Sequence, residues 1–488
     1  MIANTIKNNN SNPVKLLGFF TLERRQTMQL YDTISAISTA PGTGGIGIIR
    51  VSGKDAIEIV DKIFKMKSGK KLAEVKSHTV NYGHIVDLQT GQTIDEVLVM
   101  LMKGPRTFTK EDVVEINCHG GPLPVEKVLM ATLEAGARLA EAGEFTQRAF
   151  LNGRIDLSQA EAVIDVIDAK TDISLSQAMG QLEGNLSKKI KEYQDELLQV
   201  IARIEVSIDY PEYDLDEPID LNYKEEIILI KNKMEDLLST ADTGKMIREG
   251  VQTAIIGKPN VGKSSLLNAL LEENKAIVTD IPGTTRDLVE AYLNIDGIPF
   301  KLLDTAGIRE TEDLVEQIGV GLSKTAIEEA DLVIMILDSS SKLTKEDLEI
   351  IDSIKGKNII FVLNKEDLPP VITREIVEEH AGNNPLIYIS TKSKNGIDEL
   401  KKTMSSFVNQ GKTEVSTGAT IANVRHKEAL VKAIQSLDKV IETIDLGMPE
   451  DCMAIDLHDA YGYLGMIIGE TIKEEIISEL FTRFCLGK

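Results

Sequence analysis

The sequence predicts a multidomain α+β and α/β protein, in which an α/β domain is inserted into a helical domain that follows an N-terminal α+β domain. A chain of 488 residues is too long for one hydrophobic core. Apolar residues recur at helical spacing both before and after the segment 251–410. Within that segment, strand-length apolar runs alternate with helical patterns, which indicates a parallel sheet covered by helices on both faces.

The composition narrows the class of protein. The net charge is −23 with a pI near 4.8, which argues against broad non-specific nucleic-acid binding but leaves room for a local basic patch. No apolar run is long enough to span a bilayer, so no membrane partner is expected. Cys118, Cys452 and Cys485 are too few and too scattered for a disulfide framework or a zinc knuckle. We therefore expect a reducing, cytoplasmic setting.

Residues 1–27 differ from the rest of the chain because they are rich in Asn and hold one acid, Glu23, against four basic residues. There is no long apolar segment of the kind that a secretory signal needs. The segment is also poor in Ser and Arg, which disfavours a transit peptide. We expect a disordered extension before a natural start at Met28.

Residues 28–147 are predicted to form the α+β domain, with short β-rich runs between Gly or Pro turns and one helix. The predicted elements are strands Ile46–Val51, Thr79–Val86, Glu96–Met102 and Val113–Asn117 and helix Pro124–Glu134.

One amphipathic stripe from Leu182 to Ile208 then marks the first part of the helical domain, 148–250. The same period returns in residues 411–488, which predicts the second part of that domain.

A phosphate-binding loop is predicted at Gly257–Ser264, which is a complete G-x-x-x-x-G-K-S between an apolar strand and a helix over Ser264–Leu271. Backbone N–H groups of Asn260, Val261 and Gly262 would face the phosphates, Lys263 would bridge the β- and γ-phosphates, and Ser264 would ligate Mg²⁺. A plain glycine-rich turn is the simpler alternative. Eight matching positions in the right context disfavour it.

Two further segments are predicted to sense the γ-phosphate. Asp304-Thr305-Ala306-Gly307 lies at the end of the next apolar strand, where Asp304 would hold Mg²⁺ through a water and the Gly307 N–H would meet the γ-phosphate. The segment from Thr279 to Thr285 would be the first switch, with Thr285 as the second hydroxyl ligand of Mg²⁺. The remaining predicted switch contacts are Thr279, Asp280, Ile281, Pro282, Gly283 and Thr284.

Recognition of guanine is predicted from two motifs that follow strands. In Asn364-Lys365-Glu366-Asp367, the carboxylate of Asp367 can accept hydrogen bonds from N1–H and the exocyclic amine of guanine. Adenine offers no such pair, so the motif selects GTP over ATP. Ser390-Thr391-Lys392 matches the loop that supports O6 of guanine. Four motifs in this order predict a Ras-like G domain at 251–410.

The residue that orients the attacking water is not evident from spacing. Ras-like GTPases place a glutamine directly after D-x-x-G, and here that position is Ile308. The following segment, Arg309–Gly319, offers several alternatives that spacing alone does not separate. They are Arg309, Glu310, Glu312, Asp313, Glu316 and Gln317.

Several long stretches resemble one known family. They are Thr33–Gly53, Thr107–Gly121, Gly143–Ala162, the nucleotide motifs and the ending Phe484–Lys488. From about Met28 to Lys488 the chain resembles the tRNA-modifying GTPases called MnmE or TrmE. The resemblance implies an N-terminal folate-binding and dimerisation domain and a homodimer. It also implies work with an FAD-dependent MnmG-type subunit on C5 of the wobble uridine of certain tRNAs.

The same resemblance implies roles for individual residues in GTP hydrolysis. Asn260 matches the side-chain ligand of a K⁺ ion, and oxygens of Thr279, Ile281 and Thr284 match its other ligands. A cation at that place would stabilise the charge that spreads during phosphoryl transfer. Glu316 matches the family's catalytic glutamate, which would orient the water.

A folate site is implied in the same way. Arg50, Glu115, Arg154 and Lys488 match folate-contacting positions, and the ligand would be a tetrahydrofolate derivative, 5-formyl or 5,10-methylene. Arg154 departs from the family because a lysine can stand there, and the two cations differ in geometry. Cys485 matches a C-terminal cysteine implicated in modification. Four of these residues have simpler alternatives: an edge charge for Arg50, an alternating strand residue for Glu115, a frayed terminus for Lys488 and a small core thiol for Cys485.

Two other functions compete with this interpretation. One is a ribosome-assembly GTPase switch of the Era or Der type, without covalent tRNA chemistry. Such proteins carry a KH domain or a second G domain, and this sequence has neither a KH-type G-x-x-G loop nor a second phosphate loop. The other is a folate-binding scaffold whose GTPase has decayed, which the intact nucleotide motifs disfavour.

Overall fold

A computed structural model describes residues 32–209, 223–273, 277–278, 291–303, 327–408, 418–471, 474–482, 484 and 487. The chain divides into two compact units. One contains residues up to Asp156 together with those from Ile472 to Lys488, and the other contains Leu157–Thr471. Within the described residues, no helix combines the length and the apolar character that a membrane span requires.

The first unit is an α+β domain built on one sheet. Its strands are β1 Ile34–Ile37, β2 Ile46–Ser52, β3 Phe64–Met66, β4 Thr79–Val86, β5 Thr93–Met102, β6 Val113–His119 and β7 Arg138–Leu139. Its helices are α1 Ala56–Ile63, α2 Pro122–Glu134, α3 Glu144–Leu151 and α15 Glu474–Phe481. The described strands run in the order β3-β4-β5-β6-β2-β1-β7, antiparallel except for the β1–β7 pair. The four predicted strands and the predicted helix are confirmed, each within three residues at its ends.

The structure extends this unit beyond the boundary at residue 147 that the sequence suggested. Helix α3 contributes Phe145, which is fully buried with Ile34, Ala36 and Ala140. Arg148 is 2% exposed and pairs with Asp32, Glu111 and Glu144. A buried guanidinium needs such partners, so α3 belongs to the sheet domain. Residues from 472 onward, which the sequence assigned to the helical domain, join the same unit.

The helical part of the second unit packs helices from both ends of its sequence around one core. The helices are α4 Leu157–Asp168, α5 Asp172–Leu182, α6 Asn185–Asp209, α7 Tyr223–Leu238, α8 Ala241–Glu249, α13 Val424–Asp445 and α14 Glu450–Ile468. The apolar stripes of α6, α7, α13 and α14 form a single buried cluster, which confirms the split helical domain. The stripe predicted to be continuous from Leu182 is interrupted, because Gly184 adopts φ +85° between α5 and α6.

The two segments that connect the helical domain to the inserted domain each form an ion pair with helix α4. Glu161 of α4 is 6% exposed, and it accepts hydrogen bonds from Arg425 Nε and Nη2 at 2.9 and 3.0 Å. Burial would raise the pKa of Glu161, but His426 and Arg425 outweigh burial and lower it. Burial lowers the pKa of His426. One turn further along, Asp165 accepts a hydrogen bond from Arg248 Nε at 2.8 Å.

The inserted domain is a sheet covered by helices. Its strands are β8 Val251–Ile256, β9 Ile277–Val278, β10 Ala291–Ile295, β11 Ile298–Leu303, β12 Leu332–Asp338, β13 Ile359–Asn364 and β14 Leu386–Tyr388. Its helices include α9 Lys263–Glu273, α10 Lys345–Ser353, α11 Arg374–Ala381 and α12 Ile397–Val408. The described strands run in the order β14-β13-β12-β8-β11-β10-β9. The strand-length apolar runs of the sequence correspond to strands β8, β11, β12, β13 and β14.

The prediction that this sheet is parallel is wrong at one edge. Strand β10 pairs antiparallel with both β11 and β9. The sequence analysis missed β10 because its apolar residues alternate with polar ones and the β10–β11 connection is only a tight turn at Asp296 and Gly297, both at positive φ. A two-residue turn of this kind joins antiparallel strands, whereas parallel strands need a crossover.

Candidate nucleotide-binding site

The phosphate loop leaves β8 at Gly257 and enters α9 at Lys263, as the sequence predicts. Gly257 and Gly262 have φ of +149° and +104°, and Asn260 has φ of +65°. A Cβ at position 262 would stand 2.2 Å from Nδ2 of Asn364. The curl of the loop therefore requires a glycine at this position, both for its backbone conformation and for the space it leaves to a neighbouring loop.

Lys263 lies inside the loop rather than in solvent. Its Nζ donates hydrogen bonds to the carbonyl oxygens of Gly257 and Lys258 at 2.6 and 2.9 Å. Burial lowers the pKa of this ammonium group. A phosphate is a stronger acceptor than a peptide carbonyl, so a bound polyphosphate can take over these bonds. Ser264 follows in the first turn of α9 and is exposed.

Asn364 connects the phosphate loop to both loops that the sequence predicts to hold guanine. Its side chain is 1% exposed. Nδ2 donates to the carbonyl oxygen of Val261 at 2.8 Å, and Oδ1 accepts from the N–H of Thr391 at 3.2 Å. One buried carboxamide thus sets the distance between the phosphate end and the base end of the site. The sequence motif placed Asn364 in the site, but this bridging role was not predicted.

Lys365 adopts φ +68°, and its Nζ donates to Oδ2 of Asp338 at 2.6 Å. Asp338 is the last residue of β12, the strand beside β13. Burial would raise the pKa of Asp338, but hydrogen bonds from Lys365 and Ser340 bring it below its usual range. The stem of Lys365 is thereby held along the edge of the sheet, next to the residues that follow β13.

Asp367, the predicted guanine acceptor, is exposed, and a hydrogen bond from a buried serine holds its carboxylate in position. Its Oδ1 accepts a hydrogen bond from Ser390 Oγ at 2.7 Å, and Ser390 itself is 1% exposed. This hydrogen bond lowers the pKa of Asp367, so the carboxylate is ionised at neutral pH. Parallel pairing of β13 with β14 brings both motifs to the same carboxyl edge of the sheet, where ligands bind in open α/β domains. Lys392 is exposed beside them.

Lys258, which the sequence analysis did not single out, anchors the phosphate loop to helix α10. Its Nζ donates to Oδ2 of Asp347 at 2.9 Å, and Asp347 is 1% exposed. The same carboxylate accepts from the N–H and hydroxyl of Thr344, which caps α10. The spacing of Thr344 and Asp347 is that of a capping box, so the helix start was detectable from sequence, although its tie to the loop was not.

Several predicted site residues lie outside the described residues. In the G domain these are the first switch, Thr279–Thr285, the Asp304–Gly307 motif and Glu316. At the C-terminus they are Cys485 and Lys488. Their assignments stay predictions.

A second group of predicted residues meets in the first unit. Arg50 on β2 stands directly opposite Glu115 on β6, and its Nε and Nη2 both lie within 2.9 Å of Oε1 of that carboxylate. Nη1 of Arg50 also donates to the carbonyl oxygen of Gly487 at 3.2 Å, and Ser38 Oγ donates to the same oxygen at 3.0 Å. The residue that precedes Lys488 therefore lies beside the Arg50–Glu115 pair.

Arg154 joins this group through an aromatic ring. Its guanidinium lies 4.7 Å from the centroid of Phe108, and that of Arg50 lies 5.9 Å from the same ring. Guanidinium groups stack favourably on aromatic faces. Three of the four predicted folate residues are thus gathered around one half-buried ring and one ion pair. Phe108 was not predicted to belong to the site. It lies in the stretch Thr107–Gly121, but nothing else in the sequence distinguishes it from other phenylalanines.

Two family models cover nearly all of the chain. One, described as "GTP-binding protein TrmE N-terminus", matches residues 33–154, and the other, described as "MnmE helical domain", matches residues 157–485. The chain belongs to the MnmE family of tRNA modification GTPases. Its enzymatic class is therefore that of a GTPase.

Relatives of the MnmE family match 94% of the chain. The tRNA modification GTPase MnmE of Thermoanaerobacter pseudethanolicus is 53% identical over 462 residues, which are 94% of this chain and all of that protein. The protein of the same name from Clostridioides difficile is 51% identical over 461 residues, again 94% of this chain and all of the relative. The MnmE-family layout of N-terminal, helical and inserted G domains agrees with the fold described above.

Replacing Asn364 tests whether its bridge holds the nucleotide site together. Asn364→Ala removes a buried donor and acceptor and leaves the Val261 carbonyl and the Thr391 N–H unpaired. Such a loss costs about 1–3 kcal/mol, so we expect GTP and GDP affinity to fall by about tenfold to a hundredfold. Titration with a fluorescent guanine nucleotide measures the affinity of the variant and of the unaltered chain.

The matched control is Asn358→Ala, which removes an exposed asparagine directly before the first residue of β13. We expect this variant to bind nucleotide as the unaltered chain does. Equal affinities for the two variants, with both folded by circular dichroism, would contradict the role assigned to Asn364.

Proposed function

We propose that the chain is a K⁺-dependent GTP hydrolase that acts as a homodimer with an FAD-dependent, MnmG-type subunit. Together they modify C5 of the wobble uridine of certain tRNAs, using a one-carbon unit from a tetrahydrofolate derivative. The observation that carries the proposal is the joint occurrence of two sites in one chain. A guanine-nucleotide site lies in the inserted domain, and a cationic, aromatic site lies in the N-terminal unit.

In the first site, the roles follow from the chemistry of the side chains. Lys263 would bind the β- and γ-phosphates, and Ser264, Thr285 and Asp304 would hold Mg²⁺. Mg²⁺ supplies charge neutralisation at the transferring phosphate when it is bound. Asp367 selects guanine, because only guanine offers it two adjacent donors. Its ionised state, supported by Ser390, makes these hydrogen bonds charge-assisted.

Asn260 supports the K⁺ assignment. Its positive φ turns the residue within the loop, its side chain is exposed, and no described residue hydrogen-bonds that side chain. A carboxamide oxygen is a suitable ligand for a monovalent cation that completes its shell with oxygens of Thr279, Ile281 and Thr284. Fixed positive charge beside the phosphates stabilises the transition state, as an arginine does in other GTPases.

Water activation is assigned to Glu316 by family match. Ile308 stands where Ras-like proteins have a glutamine, and its side chain cannot hold a water molecule. A carboxylate at position 316 would accept a hydrogen bond from the attacking water. Hydrolysis is then coupled to the conformation of the switch region.

The second site is suited to an anionic folate. Arg50, Arg154 and Lys488 supply positive charge, and Glu115 can accept from the donor edge of a pterin. The half-buried ring of Phe108 offers a surface for a planar heterocycle. Contact of Gly487 with Arg50 and Ser38 supports a role for the adjacent residue, Lys488, at this site.

The proposed homodimer is supported by the open face of the first sheet. Ile46, Val80 and Leu98 are 64%, 56% and 48% exposed. By strand register, Val80 and Leu98 share a face with Glu115 and Arg50. Exposed apolar residues that cluster on one sheet face are typical of an interaction surface. A second copy on this face would border the folate site.

The K⁺ requirement is testable by salt exchange. GTP turnover of the unaltered chain should be faster in K⁺ than in Na⁺, on the order of tenfold or more, because the smaller ion fits the oxygen cage poorly. Asn260→Ala should reduce this difference. Asn268→Ala, an exposed asparagine on α9, is the control and should keep it. Equal rates in both salts for the unaltered chain would refute the assignment.

The folate site is testable by calorimetry with 5-formyltetrahydrofolate. Arg50→Ala removes a cation from the site and leaves Glu115 unpaired, so folate affinity should fall by about tenfold or more. GTP affinity should not change. Arg106→Ala, an exposed arginine of the same unit, is the matched control. Undiminished folate binding by the Arg50 variant would show that the ligand does not use this pair.

A further inference from the structure

A dense run of positive charge lies on an acidic chain. Between residues 62 and 76 there are six lysines and one acidic residue, Glu74, although the net charge of the chain is −23. Five of these lysines follow α1 on and after edge strand β3, and we name them the basic edge. The basic edge is Lys65, Lys67, Lys70, Lys71 and Lys76, all of them exposed.

The charges of the basic edge are largely uncompensated. Within the part of the chain that the structure describes, no carboxylate forms an ion pair with Lys65, Lys67, Lys70 or Lys76. The nearby carboxylate of Asp61 is occupied, since it accepts from the backbone N–H groups of Leu72 and Ala73. A surface of this kind holds a positive potential despite the overall negative charge.

The backbone that carries the basic edge is well anchored. Leu72 is 1% exposed and packs in the core of the first unit. The N–H of Lys67 donates to the carbonyl oxygen of Tyr82 at 3.1 Å, and Lys103 Nζ donates to the carbonyl oxygen of Ala73 at 3.2 Å. The lysines therefore project from a fixed framework, so binding an anion does not require ordering of this backbone.

Protection of an exposed sheet edge is the simplest alternative role for these lysines, since a lysine on an edge strand blocks further strand pairing. That role accounts for Lys65, which lies within β3. It does not account for Lys67, Lys70, Lys71 and Lys76, because these follow the three-residue strand. The extra lysines call for an anionic partner whose charges repeat along its length.

The repetition of the lysines favours a nucleic acid over an acidic protein. A nucleic acid presents phosphates at regular intervals along its length, and successive lysines can pair with them. The ammonium group of Lys67 lies 5.1 Å from the centroid of the ring of Tyr82 on β4. That ring stands opposite Leu98 on the sheet face proposed for the second copy, and its hydroxyl donates to Glu96, so we assign no RNA contact to it.

We propose that the basic edge binds the sugar–phosphate backbone of the RNA substrate. This inference rests on the proposed function, because it assumes that a tRNA is the substrate. The inference goes beyond the proposed function because it names the surface that binds the tRNA on an otherwise acidic chain.

The experiment measures binding of a transcribed tRNA with a wobble uridine to the full-length chain over a range of salt concentrations. The test variant is Lys67→Glu with Lys70→Glu. The control is Lys54→Glu with Lys127→Glu, which makes the same change in net charge at two exposed lysines of the same unit. Loss of two phosphate contacts should weaken binding by about tenfold and lower the slope of log Kd against log salt by about two.

The control variant should keep the affinity and slope of the unaltered chain, and both variants should hydrolyse GTP at the unaltered rate. Equal tRNA binding by the two variants would overturn the inference and leave the proposed function standing. Absence of tRNA binding by the unaltered chain would also overturn the inference. The proposed function is tested separately, by the nucleoside profile of tRNA from a strain that lacks the chain. A change in sedimentation with unchanged tRNA binding would assign the basic edge to another copy of the chain.

Discussion

The buried side chain of Asn364 is the constraint on which the nucleotide site depends. Its two hydrogen bonds join the loop that holds phosphates to the loop that follows the last strand. Gly262 must lack a side chain because the carboxamide of Asn364 occupies that space. The spacing between the two ends of the site is therefore built into the domain before any nucleotide arrives. Preorganisation of this kind reduces the ordering cost of binding.

Other hydrogen bonds anchor the loops of the site to the sheet and to a helix. Lys365 is held by Asp338, Asp367 by Ser390, and Lys258 by Asp347. Ser390 and Asp347 are each 1% exposed, and Asp338 ends the buried strand β12. In the helical domain, Glu161 and Asp165 of α4 accept hydrogen bonds from Arg425 and Arg248. These two arginines flank the segments that connect the helical domain to the G domain.

The sequence predicted the elements well where a local motif or a regular period carried the signal. The phosphate loop, the guanine motifs, the strands before them and the split helical stripes all have local patterns. The antiparallel β10, the ties of Lys258 and Asn364, and the contact of Gly487 with Arg50 depend on residues far apart in sequence. No local pattern encodes them. The boundary after 147 was placed too early for the same reason, since the partners of Arg148 include Asp32 and Glu111.

The central claim is that GTP hydrolysis, and not GTP binding alone, drives modification of the wobble uridine. The direct measurement is the nucleoside profile of tRNA from a strain that lacks the chain and is supplied with the unaltered form or Glu316→Ala. Single-turnover hydrolysis in K⁺ is measured in parallel, with Glu310→Ala and Glu312→Ala for comparison. The account predicts that Glu316→Ala binds GTP normally, slows hydrolysis by about 10²–10⁴-fold, and fails to restore the C5-modified uridine. Full restoration by Glu316→Ala, or an unchanged profile in the strain without the chain, would contradict it.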